Sequence, residues 1–189
     1  MDWIEIAGFI TGIIAVWLTI KENSWCWAVW FACTVFYLIV FFNTKFYADT
    51  WLQVFYLITI VYGWYNWKRN KAGNVELKIS FSSYKLIIIS LVAMVILTLI
   101  LGYIFSTYTS AAVPWWDSSL SAASIVATWL TAKKKMENWI IWIIADCIYV
   151  QMYLIKDLYL TAGFYYLLLI LAIEGYFEWR LSMQKALSQ

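Results

Sequence analysis

The side chains able to do chemistry in this chain are few, and they sit in oily surroundings. Asp146 lies in an apolar stretch with Trp139, Trp142, Tyr149 and Tyr153 at steps of three or four, which places all five on one helical face. An acid in an aromatic wall suits a flat, positively charged ring, held by charge pairing, stacking and attraction to the ring faces. Glu174 and Glu178 occupy the next apolar stretch with Tyr166, and no Lys or Arg shares the depth of these acids. Earlier in the chain, Gln53 offers an amide that can both donate and accept, with Tyr56 and Trp30 further inward than an interfacial aromatic needs to be. Each has a blander reading. A protonated acid can bond to a neighbouring helix, a buried Gln can join two helices, and Trp and Tyr populate membrane interfaces.

What is missing narrows the chemistry. With no histidine there is no His-based zinc or iron site and no Ser-His-Asp or Cys-His catalysis. Cys26, Cys33 and Cys147 form no CxxC pair and read as small apolar fillers. A net charge of +2 with clustered lysines leaves no extended basic face for nucleic acid. No cofactor is implied.

The elements that must position these residues follow from composition. A chain that is 65% hydrophobic and 13% charged, with mean hydropathy +0.75, cannot cover itself with a water-facing surface. It reads as a single all-α integral membrane domain over 1–189, surrounded by lipid. A bilayer core about 30 Å thick takes roughly 20 apolar residues per helix. Seven such stretches run from Trp3 to Ile20, Trp25 to Phe42, Thr50 to Trp67, Tyr84 to Phe105, Trp115 to Ala132, Asn138 to Ile155 and Tyr159 to Trp179. Asp2 and Glu5 at the start argue against a cleavable signal peptide. Of the 13 Lys and Arg, all but Lys45 and Lys156 fall on one side, which predicts an outside N-terminus and a cytoplasmic C-terminus.

The chain also matches itself at a fixed offset. Trp3, Trp17, Trp27, Trp30, Tyr37, Gly63 and Trp67 superpose on Trp115, Trp129, Trp139, Trp142, Tyr149, Gly175 and Trp179, with Thr19 on Thr131 and Lys21 on Lys133. This predicts an ancestral duplication, repeat 3–67 and repeat 115–179, joined by a linker helix over 84–105. Four crossings between the starts of the copies make the repeats parallel, a 3+1+3 arrangement with its site between the bundles. Gly63 and Gly175 are expected to allow close helix approach, and Pro114 to start a helix. The linker helix carries nothing charged inside the span and reads as a lipid-facing strap.

The strings WIEIAG from Trp3, YADTWLQVFY from Tyr47, YGWYNW from Tyr62, WDS from Trp116 and ENWIIW from Glu137 resemble the Pnu family of bacterial vitamin transporters, and the likeness runs from Trp3 to Trp179. The resemblance implies facilitated diffusion of an unphosphorylated vitamin across the cytoplasmic (inner) membrane, trapping by a cytoplasmic kinase, and a trimeric assembly. Where the nicotinamide riboside branch carries asparagines in the sixth and seventh helices, this chain has Asp146 and Glu174. Two acids in an aromatic cleft suit thiamine, a thiazolium joined to an aminopyrimidine, so thiamine is the expected substrate and nicotinamide riboside the alternative. The expected site is Asp146, Glu174 and Glu178 with Trp30, Gln53, Tyr56, Trp142, Tyr149 and Tyr166.

Rival classes fit less well. The last span holds no lysine for a retinal Schiff base, and no HExxH or paired aspartates support an intramembrane enzyme. A seven-helix receptor without transport is separated from a carrier by uptake into liposomes.

Overall fold

A computed structural model describes residues 3–43, 47–72, 77–109, 113–155, 157 and 159–187. Asp2, Lys45 and Lys156, with the side chains of Glu5, Tyr47, Arg69 and Lys71, lie outside that description. The described chain is all-helical: α1 (Trp3–Ile20), α2 (Cys26–Asn43), α3 (Tyr47–Ala72), α4 (Tyr84–Tyr108), α5 (Pro114–Ala132), α6 (Glu137–Ile155) and α7 (Tyr159–Leu187). These coincide with the seven expected spans, except that α3 and α7 run on past Trp67 and Trp179. Their tails are rich in Lys, Arg, Met, Gln and Ala, good helix formers that continue a helix into water.

By length and composition α2, α4 and α6 are long and apolar enough to cross a membrane, and Ile6–Ile20 of α1 is a shorter apolar stretch. The remaining helices mix in Ser, Thr, Gln and Glu. Within the first bundle α1 packs on α2 and α2 on α3; within the second α5 packs on α6 and α6 on α7. The bundles meet twice, α1 against α7 and α3 against α5, so equivalent helices serve both seams. Pro114 stands in the first turn of α5, where its missing N–H costs nothing.

The core sits at the lysine-rich end. Trp27 meets Trp67 edge to face at 5.5 Å, Trp139 meets Trp179 in the same way at 5.3 Å, and Trp67 and Trp179 face one another at 6.3 Å. Gly63 and Gly175 make room for this cluster. A methyl added to either would come within 2.5 Å of a ring carbon of Trp27 or Trp139, so the close approach is of an indole, not of another helix backbone.

Both α1 and α5 end in the same way. Glu22 N–H donates to Thr19 O and Asn23 N–H to Leu18 O; Lys134 N–H donates to Thr131 O and Lys135 N–H to Leu130 O. This cap requires a left-handed residue, usually glycine, and here it is Glu22 (φ 53°) and Lys134 (φ 49°). A non-glycine residue there is strained by roughly 1 to 3 kcal/mol. Each turns its side chain toward the other, and Lys134 Nζ reaches Glu22 Oε2 at 2.6 Å.

Helix α4 lies against α5, its Gly102 beneath the ring of Trp115. Most of its surface faces outward, as expected of a strap. The segment leading into it, 77–82, crosses the α5–α6 loop. Ser80 N–H donates to Lys134 O, Met136 N–H donates to Ser80 O, and Glu137 accepts from both the backbone N–H and the hydroxyl of Ser82.

Candidate functional site

A cavity of about 1030 Å³ runs between the bundles, at the upper end of the roughly 300–1,000 Å³ typical of small-molecule sites. Its walls are faces of all six bundle helices, α1, α2 and α3 from one side and α5, α6 and α7 from the other. Trp30 and Tyr37 of α2 face it from one bundle, Trp142 and Tyr149 of α6 from the other. Trp27 and Trp139 form its floor, directly on the buried tryptophan cluster.

Asp146 is 3% exposed, borders the cavity, and makes no hydrogen bond or ion pair among the described residues. A carboxyl in such a place is costly to charge unless a ligand supplies a cation or donors. Beside it Tyr149, Tyr153 and Tyr165 stack, with Tyr165 4.4 Å from Tyr149 and 5.2 Å from Tyr153. Across the cavity Tyr37 and Phe41 stack at 6.1 Å, and the position matching Tyr165 is Gln53. The position matching Asp146 in the other bundle is Thr34, whose hydroxyl bonds back to Trp30 O. The second bundle therefore presents the carboxyls of Asp117 and Asp146, where the first presents the amide of Gln53 and the hydroxyl of Thr34.

Of the expected residues, Trp30, Gln53, Tyr56, Trp142, Asp146 and Tyr149 line this cavity together. Glu174, Glu178 and Tyr166 do not. Glu174 is exposed on the outer face of α7, and Tyr166 is 57% exposed there. Glu178 accepts from Lys21 Nζ at 3.2 Å at the rim of the lysine-rich end, tying α7 to α1. The physical reason is the helical wheel: Tyr165, Leu168 and Ala172 define the cavity face of α7, and Glu174 is about 200° from Ala172 at 100° per residue.

Asp117 was missed as a site residue. It stands in the first turn of α5 and lines the cavity at the end remote from the lysines. Its sequence signal was the fixed offset, which superposes it on Glu5, acid on acid. The strap expectation for α4 also needs correcting at one end, because Ile104, Phe105, Tyr108 and Thr109 border the same cavity. The last turn of α4, in which Phe105 is buried, reaches the mouth.

At the floor, the indole N–H groups of Trp27 and Trp139 and the Asn138 carbonyl oxygen are buried without a partner among the described residues. Each such group costs on the order of 1 to 3 kcal/mol. By contrast the deeper indoles are bonded, each across the seam: Trp67 donates to Thr131 O and Trp179 to Thr19 O.

Seven helices in two bundles, enclosing a polar and aromatic cavity closed at one end, define a multi-pass membrane carrier. Comparison with known proteins gives the kind. A profile of the nicotinamide mononucleotide transporter family matches residues 2–181, and the chain belongs to that family. It is 28% identical over 204 residues to the nicotinamide riboside transporter PnuC of Escherichia coli, covering 95% of this chain and 85% of that one. The riboflavin/roseoflavin transporter RibM of Streptomyces davaonensis is 25% identical over 187 residues, covering 97% and 87%. The fold is similar to the crystal structure of the vitamin B3 transporter PnuC, with TM-score 0.77 and 19% identity over 97% of this chain and 83% of that chain. These relatives are transporters, not enzymes.

Proposed function

We propose that this protein carries nicotinamide riboside, or a closely similar cationic N-ribosyl pyridinium, across the bacterial inner membrane. The observation that supports the reading is the sign of the cavity: Asp117 and Asp146 line it, and no Lys or Arg does among the described residues. A pyridinium ring gains from the carboxylate and from stacking on Trp142 and the tyrosines. Ribose hydroxyls and a carboxamide suit Gln53, Thr34 and Ser121 on the facing walls. A phosphorylated mononucleotide would bring negative charge into a cavity lined by two acids and, among the described residues, by no Lys or Arg. The neutral ring of riboflavin would gain nothing from either.

The case for thiamine rests on paired acids at 146 and 174, and Glu174 is exposed and absent from the cavity lining. The E. coli relative bears the name of the riboside carrier, which supports the same choice.

The mechanism is facilitated diffusion. The lysine-rich end faces the cytoplasm, the N-terminus lies outside, and the two bundles, descended from one duplicated unit over 3–67 and 115–179 within a single domain, rock about the α1–α7 and α3–α5 seams. Phosphorylation inside retains the vitamin, because the acids that accept the cation repel its phosphate. Assembly into a homotrimer is checked by light scattering in detergent.

Calorimetric titration with nicotinamide riboside, its 5′-phosphate, thiamine and riboflavin tests the assignment. The riboside is expected to bind about 100-fold more tightly than the phosphate, a difference of roughly 2.7 kcal/mol. Tighter binding of thiamine or riboflavin overturns the choice of vitamin, and absence of uptake into liposomes overturns transport.

A further inference from the structure

Below the cavity floor the two bundles are tied at successive levels. Trp67 and Trp179 donate across the seam, Asn66 donates to Ala132 O at 2.7 Å, and last comes the Glu22–Lys134 ion pair. Glu22 and Lys134 are matching positions, 112 residues apart, so this bond lies across the approximate twofold relation between the bundles. Rocking of one bundle against the other at this end must lengthen it. The closed arrangement is also held against a load, since both partners of the ion pair are left-handed non-glycine residues.

The 77–82 segment is fastened to the same place. Ser80 bonds the backbone on either side of Lys135 and accepts from Lys135 Nζ at 2.8 Å, while Ile79 is buried in the tryptophan cluster. This segment joins the first bundle to α4 and clamps the turn that carries Lys134.

We propose that the Glu22–Lys134 pair, clamped by the 77–82 segment, is the latch of an inner gate, and that the cavity opens at the lysine-rich end only when both release. The proposal rests on the carrier reading. It does not depend on which vitamin is carried, because its main readout is the exposure of a native thiol.

Cys26 supplies that readout: it is fully buried in the tryptophan cluster beside the gate. With Cys33 and Cys147 replaced by Ser, labelling of Cys26 by a small maleimide is followed in membrane vesicles whose lysine-rich end faces the medium. Glu22→Lys and Lys134→Glu are each expected to raise the labelling rate about tenfold, since a buried thiol reacts in proportion to local opening. The exchanged pair, Glu22→Lys with Lys134→Glu, restores the parent rate. Unchanged labelling in the single variants, or an exchanged pair that labels as fast as they do, overturns the latch.

A second variant does not rely on weakened packing. Ser80→Cys with Lys135→Cys, in a background without native cysteines, forms a disulfide across the bridge between these residues. Oxidation is expected to stop uptake of labelled nicotinamide riboside and reduction to restore it. Full uptake with the disulfide closed removes the segment from the gate.

Discussion

Trp67 and Trp179 occupy the same place in the two bundles, lie 6.3 Å apart, and each donates its indole N–H to a threonine carbonyl of the opposite bundle. The pair thus joins the halves of the protein twice, by ring contact and by exchanged hydrogen bonds. Replacing Trp67 with Phe keeps most of the ring and removes one donor, so thermal unfolding in detergent should show a loss of about 1 kcal/mol. The same change at Trp179 should cost as much. Because the rings touch, the double variant should depart from the sum of the two by about 0.5 kcal/mol or more.

Alanine at Gly175 would drive a methyl into Trp139. Overpacking of this kind costs about 1 to 3 kcal/mol. Gly63→Ala meets Trp27 with the same geometry and should fall in the same range. Gly163, with open space around it, is the control: its alanine variant should keep the parent melting temperature.

Asp146→Asn is expected to weaken binding of nicotinamide riboside by tenfold or more, since a charged hydrogen bond or ion pair in a buried place is worth about 1.5 to 3 kcal/mol. Asp117→Asn, nearer the mouth and more hydrated, should cost less, about threefold. Calorimetry on both variants checks the order.

Glu174→Gln should leave that affinity unchanged, because its carboxyl faces outward on α7. A tenfold loss would return Glu174 to the site and with it the paired-acid case for thiamine.

Most of the architecture could be read before any coordinates. The helices begin and end close to the polar breaks, because oily stretches and bilayer thickness leave little choice. The face of α6 was legible for the same kind of reason: Trp142, Asp146 and Tyr149 recur at helical spacing, with Gln151 the one amide on the opposite side. In α7 the rule failed. Its polar side chains lie on several faces, Glu178 held by Lys21 at the rim and Glu174 outside, and spacing alone does not say which face meets the other bundle. Asp117 escaped notice because an acid in the first turn of a helix already has an ordinary explanation in the helix dipole. The left-handed caps at Glu22 and Lys134 carried no signal, since glycine is the residue that usually marks them.

The lining is less alike than the shell. Thr34 stands where Asp146 does, Gln53 where Tyr165 does, and Leu168 where Tyr56 does. A cationic guest entering back to front would meet a hydroxyl in place of the Asp146 carboxyl, so the lining favours one docking polarity in a cage whose frame would tolerate two.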